Sequence, residues 1–268
     1  MLELIQITND PAFARRCDAL DGMRIFVDLE RLGKAERQAG RDTFISAHHP
    51  DDVTRVRRAV RHSSLMVRVN PLNEGTSDEV DAVLAQGADL LMLPMFTRAA
   101  ELREFAGIVA GRAPIVPLLE TGAALECLDD WIATPGLQEV YIGLNDLHLS
   151  LGHQFMFEPL ARGLVDLVAA AARRQGLRFG FGGIARIDEG LLPGHDVLAE
   201  HLRLGSGSVI LSRTFHRRGD EAGFEAEVAK LRRTEAELAL RSKSQIEQDR
   251  QRIALLIERI AAGRPDAA

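Results

Sequence analysis

The stretch "VYIGLNDLHLSLG" (140–152) begins as a buried strand, with Val140, Tyr141, Ile142 and Leu144, and then runs straight into Asn145, Asp146 and His148. Burying an unpaired carboxylate is costly even after the surroundings relax. Asp146 therefore either escapes to water at the strand's end or meets a cation there. The fold decides which, and the rest of the chain repeats the pattern.

Seven more apolar runs surround this one: "LELIQIT" (2–8), "RIFVDLE" (24–30), "SLMVRVN" (64–70), "DLLMLPM" (89–95), "PIVPLLET" (114–121), "RFGFGGIA" (178–185) and "SVILSRTF" (208–215). Near-continuous apolar runs suit parallel strands covered on both faces. Amphipathic stretches such as "PDDVTRVRRAVRHS", "SDEVDAVLAQG" and "LARGLVDLVAAAARRQG" lie between them. Several end in Gly, as capped helices do. Eight strands alternating with helices over 268 residues predict an α/β fold, a (β/α)8 TIM barrel with a long C-terminal helical extension. A doubly wound open sheet is the alternative.

The barrel is assigned to residues 1–218 and the extension to 219–268. Residues 219–262 are charged and proline-free, with Ala239, Ile246, Ile253 and Ile260 at seven-residue intervals and Leu256 beside them. One long helix with a heptad seam is expected, either lying on its own barrel or pairing subunits of a homo-oligomer. Residues 31–50 read as a long irregular connection, a length that is often functional.

Composition narrows the partners. A net charge of −6 gives no support to nucleic acid or an anionic membrane. No apolar run reaches membrane-spanning length, and the start lacks signal-peptide character. The two cysteines, Cys17 and Cys127, form neither a CxxC nor a metal cluster, which fits a reducing, cytoplasmic setting.

In a (β/α)8 barrel the chemistry sits at the C-terminal ends of the strands, and polar residues gather there. The ends carry Thr8–Asn9, Asp28 and Glu30, Arg68 and Asn70, Glu120 and Thr121, Asn145 and Asp146, Gly182–Gly183 with Arg186 beyond, and Ser212–Arg213. Only Pro94–Met95 breaks the pattern. Carboxylates converging on one rim repel unless a cation joins them. Oxygen ligands with few protein donors suit Mg²⁺ or Mn²⁺. Arg68 supplies fixed positive charge for an anionic substrate. His48 and His49 are general-base candidates. No strand ends in Lys, and Lys34 is the nearest candidate, which argues against an imine route. Structural readings stand beside these: Asp146 as a helix cap, Arg68 as an ion-pair partner of Asp28 or Glu30, His148 as a core partner, and Gly182–Gly183 as tight packing, as a backbone approach to a ligand or as a phosphate site.

Taken in order, "FVDLE" (26–30), "VRVN" (67–70), "GADLLMLPM" (87–95), "LLETGAAL" (118–125) and "IGLNDLHLSLG" (142–152) resemble the HpcH/HpaI aldolase and citrate lyase β-subunit family across roughly residues 23–215. The resemblance implies a (β/α)8 enzyme that makes or breaks C–C bonds beside a 2-oxo acid such as pyruvate, or cleaves acyl-CoA esters of hydroxy acids. It implies a divalent metal on Glu120 and Asp146, a substrate-binding Arg68 and an acidic pair at Asp28 and Glu30. Arg31 departs from the pattern, since the aldolase branch places a catalytic His there. The expectation is therefore a metal-dependent aldolase acting on a small oxo acid and an aldehyde. Arg68, His48, His49, Asp28 and Glu30 are its catalytic candidates, and Arg68, Asn70, Gly182 and Gly183 would bind substrate. An acyl-CoA lyase, or a non-catalytic barrel used for assembly, are the alternatives.

Overall fold

The computed structural model describes residues 1–33, 48–215 and 223–263. Its eight strands are β1 Glu3–Ile7, β2 Met23–Asp28, β3 Ser64–Arg68, β4 Leu90–Leu93, β5 Ile115–Leu119, β6 Glu139–Ile142, β7 Arg178–Ile184 and β8 Ser208–Leu211. They follow one another in a closed parallel barrel, β1 to β8. Each apolar run expected as a strand overlaps one, with β2 and β6 starting one residue earlier than their runs. The helices between them among the described residues are α1 Pro11–Asp18, α2 Asp51–Ala59, α3 Thr76–Ala85, α4 Ala99–Val109, α5 Gly122–Glu126, α6 Leu128–Trp131, α7 Leu144–Ser150, α8 Glu158–Ala161, α9 Leu164–Arg174 and α10 Gly194–Leu204. Two more follow the barrel, α11 Gly223–Leu238 and α12 Lys243–Ala261.

The chain divides into two compact units, one of Ile5–Tyr141 and one of Met1–Leu4 with Ile142–Ala268. In the first, β2 and β3 pair residue for residue from Arg24 opposite Ser64 to Asp28 opposite Arg68. Ile25, Val27, Leu65, Val67, Leu91 and Val116 are wholly buried, because strands with helices outside and side chains inside have no wet face. Local chemistry fixes the connections. Asp10 caps α1 by accepting the Ala12 N–H, with Pro11 in the first turn where its missing N–H costs nothing. The Asp18 carboxylate at the end of α1 accepts the backbone N–H groups of Arg61, His62 and Ser63, fixing the entry to β3. Burial opposes the charge on Asp18, but those three donors outweigh it and hold the carboxyl below its usual range.

In the second unit, β7 and β8 pair with a register shift between Gly180 and Gly183. The tail is not one helix. It breaks after Leu238, and α12 starts afresh with a capping box in which Ser242 and Gln245 exchange bonds. The hydroxyl and amide satisfy N–H groups that a continuous helix would have bonded internally. Of the expected seam, Ile253 is buried together with Ile257, whereas Ala239 is exposed. Helix α12 packs on α8 and α10, and a bidentate pair from Arg252 to Asp196 ties it to α10. Helix α11 clasps the chain's start: Glu235 accepts the Leu2 N–H and Arg232 donates to the Leu2 carbonyl. Among the described residues, no helix is long and apolar enough to cross a membrane.

Candidate active site

Within the first unit, Arg68 is the centre of the strand-end cluster. Its Nε and Nη2 donate to Asp28 Oδ1 and Oδ2, both at 2.8 Å, and its Nη1 lies 3.3 Å from Glu30 Oε2. The β2–β3 register puts Asp28 directly opposite Arg68. The period-two alternation of the backbone sends Glu30 to the same side as Asp28. All three side chains are largely buried, with Arg68 15% exposed. The ring of Phe26 lies under the guanidinium at 5.7 Å. Burial alone would lower the pKa of Arg68; the charge and hydrogen bonds of Asp28, with the charges of Glu30 and Glu120, overcome it and push it above the usual arginine value. A planar fork held this way is an aimed, permanent cation.

Glu120 follows β5 directly and is buried. Its Oε1 accepts the backbone N–H of Met95 at 3.0 Å, and Met95 adopts a left-handed conformation, φ 58°. The fourth strand end, apolar in sequence, thus contributes a main-chain donor. Next to Glu120, Thr121 caps α5 through its hydroxyl.

Three candidates take on structural work. Asn70 Oδ1 accepts the N–H groups of Arg31 and Leu32, and its amide donates to Glu79, so its contacts fasten the segment after β2. His49 is exposed and faces Asp51 at 3.6 Å. His48 is buried, but its Nδ1 accepts the Asp28 N–H at 3.0 Å. The lone pair of that nitrogen, where a neutral ring protonated at Nε2 would take a proton, is engaged by the Asp28 N–H. Lys34 lies outside the described residues.

In the second unit, β6 ends at Ile142 and Gly143 precedes α7. Asn145 and Asp146 therefore belong to a helix, not to the strand. Asp146 sits half-exposed in its first turn, where orphan N–H groups favour a carboxylate. His148, on the same helix, bonds the Leu144 carbonyl through Nδ1 and is a core residue. Gly182 has φ +55°, and a Cβ there would come within 2.9 Å of Leu144 Cδ1. Its side-chain direction meets the end of Leu144, so packing is one demand on this glycine. At Gly183 a Cβ would meet only ordinary contact with the Ile210 carbonyl, beside the register shift.

A family model described as HpcH/HpaI aldolase/citrate lyase matches residues 25–179. The chain belongs to that family. Within it, a (3S)-malyl-CoA thioesterase of Cereibacter sphaeroides is 30% identical over 118 residues, 43% of this chain and 41% of that protein. A hydroxypyruvate/pyruvate aldolase of Rhizorhabdus wittichii is 32% identical over 100 residues, 34% of this chain and 40% of that protein. The matched stretch thus spans about two-fifths of either relative. Among solved structures, an HpcH/HpaI aldolase from Desulfitobacterium hafniense superposes with a TM-score of 0.60 at 20% identity, over 87% of this chain and 92% of the other. A citrate lyase β subunit from M. tuberculosis, complexed with oxaloacetate and magnesium, gives 0.58 at 18% identity over 87% and 96%. At such identities these two carry the fold alone.

Arg31, where the aldolase branch of the HpcH/HpaI family carries His, donates from Nη2 to the His48 carbonyl at 2.7 Å. It braces the chain at that point. Sequence reasoning missed two contributors here, Met95 and Asp52. The Asp52 carboxylate is wholly buried and accepts both Asn9 Nδ2 and the His49 N–H.

Proposed function

We propose that this chain is a carbon–carbon lyase, a metal-dependent class II aldolase that forms or cleaves a bond beside the 2-oxo group of a small acid such as pyruvate, with an aldehyde as second substrate. The observation that carries the reading is Arg68, a forked cation locked at a strand end by Asp28 and Glu30. A fixed donor costs no reorganisation as negative charge grows on the substrate oxygen. In this reading Arg68 binds the oxo acid and stabilises the developing enolate, while Asp28 and Glu30 hold its plane.

The metal belongs to the proposal as well. Among the described residues, no three His, Cys, Asp or Glu side chains converge on one point. Glu120 is an oxygen donor, and oxygen donors suit Mg²⁺ or Mn²⁺, which keep waters and take further ligands from substrate. Held in part by Glu120, the ion would supply Lewis acidity at the 2-oxo oxygen. The Met95 N–H fixes one oxygen of Glu120, which orients its carboxylate.

The test is deuterium exchange into the methyl group of pyruvate in D₂O, followed by NMR with and without Mg²⁺ or Mn²⁺. Metal-dependent exchange that disappears in Arg68→Ala supports the reading; exchange unaltered by both metal and substitution overturns it. A second reading rests on the thioesterase relative: the substrate is an acyl-CoA of a hydroxy acid, and release of free CoA thiol would report it. Assembly as a homo-oligomer through the C-terminal helices completes the proposal. Leu255 on α12 is 54% exposed, and Leu255→Asp should lower the mass measured by light scattering.

A further inference from the structure

Strand β1 ends at Ile7 and β2 at Asp28. The Thr8 N–H donates to the Phe26 carbonyl at 3.1 Å. Two residues on, and by strand periodicity on the same edge, the Asp28 N–H donates to the His48 imidazole, with Nδ1 3.0 Å away. On the other edge the ladder continues, since Leu29 donates to the Arg68 carbonyl at 2.9 Å. A side chain thus bonds the backbone of a residue whose carboxylate grips Arg68.

The backbone that carries the imidazole is itself braced on both sides. The His48 carbonyl accepts from Arg31 Nη2. The next residue, His49, donates its N–H to Asp52 Oδ2 at 2.8 Å, and Asn9 Nδ2 donates to that same oxygen at 2.9 Å. Asn9 lies just past β1 and Asp52 in the first turn of α2. The brace therefore runs from the end of one strand, through a buried carboxylate, to the end of the next. Because a backbone N–H can only donate, Nδ1 must be the acceptor, and the neutral ring carries its proton on Nε2.

We propose that His48 is a positioning residue: as acceptor for the Asp28 N–H it locks the end of β2, and with it the carboxylate that sets the plane of Arg68. It acts through Asp28 and not by taking a proton from substrate. The inference rests on the aldolase reading for its effect on rate, but not for the hydrogen bond itself.

Two substitutions separate positioning from base catalysis. In His48→Asn the amide oxygen can occupy the place of Nδ1 and accept the same N–H, but the side chain cannot act as a base at neutral pH. In His48→Ala both capacities are lost. Positioning predicts that His48→Asn keeps kcat within about threefold of the wild type, while His48→Ala loses about 10- to 100-fold, the scale of a displacement near 1 Å at a reacting group. Equal large losses in both variants would make the imidazole a base and overturn the proposal; no loss in either would overturn it as well. Amide hydrogen exchange over residues 24–30 gives a second reading that needs no substrate. Protection at Asp28 should persist in His48→Asn and fall in His48→Ala. A protein that fails to exchange pyruvate but shows this pattern refutes the aldolase reading and keeps the brace. An unprotected Asp28 amide in the wild type refutes the brace.

Discussion

Met95 points its backbone N–H at Glu120 Oε1 from 3.0 Å, and does so with φ at 58°. A left-handed conformation at a residue with a side chain costs on the order of 1–3 kcal/mol and persists where its surroundings over-determine it. Here the return is a buried carboxylate with one oxygen satisfied.

This relationship makes Glu120→Gln informative. The amide oxygen can still accept from Met95, so the melting temperature should move little. Metal binding should weaken, and the metal-dependent exchange of pyruvate should fall about 100-fold or more, as for loss of one electrostatic contact at a reacting oxygen. Titration of Mn²⁺ beside a thermal melt checks both halves; full exchange activity in this variant would remove Glu120 from the metal site.

Arg68→Lys tests the fork. An ammonium cannot satisfy Asp28 with two parallel bonds, and exchange should drop about 100- to 1,000-fold with the fold retained. Arg68→Ala goes further, because it strands two buried carboxylates. Breaking a buried pair on one side costs about 3–5 kcal/mol, visible in urea denaturation. Replacing Asp28 by Asn in the same chain should restore part of that stability without restoring activity.

Gly182→Ala separates packing from ligand binding. The positive φ alone costs an alanine about 1–2 kcal/mol, and the new methyl group must displace the end of Leu144. The urea midpoint should fall, while the KM for the oxo acid stays unchanged. A KM effect without a stability effect would return Gly182 to the binding site.

His201 sets an acid limit on stability. It is fully buried and stacks on Phe181 with ring centres 3.7 Å apart, and desolvation pushes its pKa down to about 3. An unfolded histidine titrates near 6.5, so between about pH 6.5 and 3 the unfolded chain binds a proton that the folded chain refuses. Stability is therefore complete above that window and declines as the pH falls through it, by up to a few kcal/mol from this residue. Urea midpoints at pH 7, 5.5 and 4 should fall in sequence, and His201→Asn should flatten the decline.

The barrel was legible because its strands are buried on both faces, and runs such as "SLMVRVN" (64–70) need no partner to be recognised. The pairing of Asp28 and Glu30 with Arg68 was legible from position, since all three lie at adjacent strand ends. What stayed hidden depends on backbone direction. Met95 donates through its main chain, which an apolar side chain does not advertise. At His48 the sequence shows an imidazole but not which nitrogen is engaged. Asp146 looked like a strand residue because the apolar run passes over Gly143 without a break. The division of the tail did leave a trace: Ser242 and Gln245 stand three apart, the spacing of a capping box, inside a heptad pattern that drew attention away from it.

That division reaches beyond packing. In an unbroken helix, one inserted residue turns everything downstream by about 100°, and Ile253 and Ile257 would swing out of the core. Here the interval 239–242 absorbs such a change, because α12 takes its orientation afresh from Ser242 and from the grip of Arg252 on Asp196. The two tail helices are geared separately, so the linker between them can gain or lose residues while each keeps its own phase.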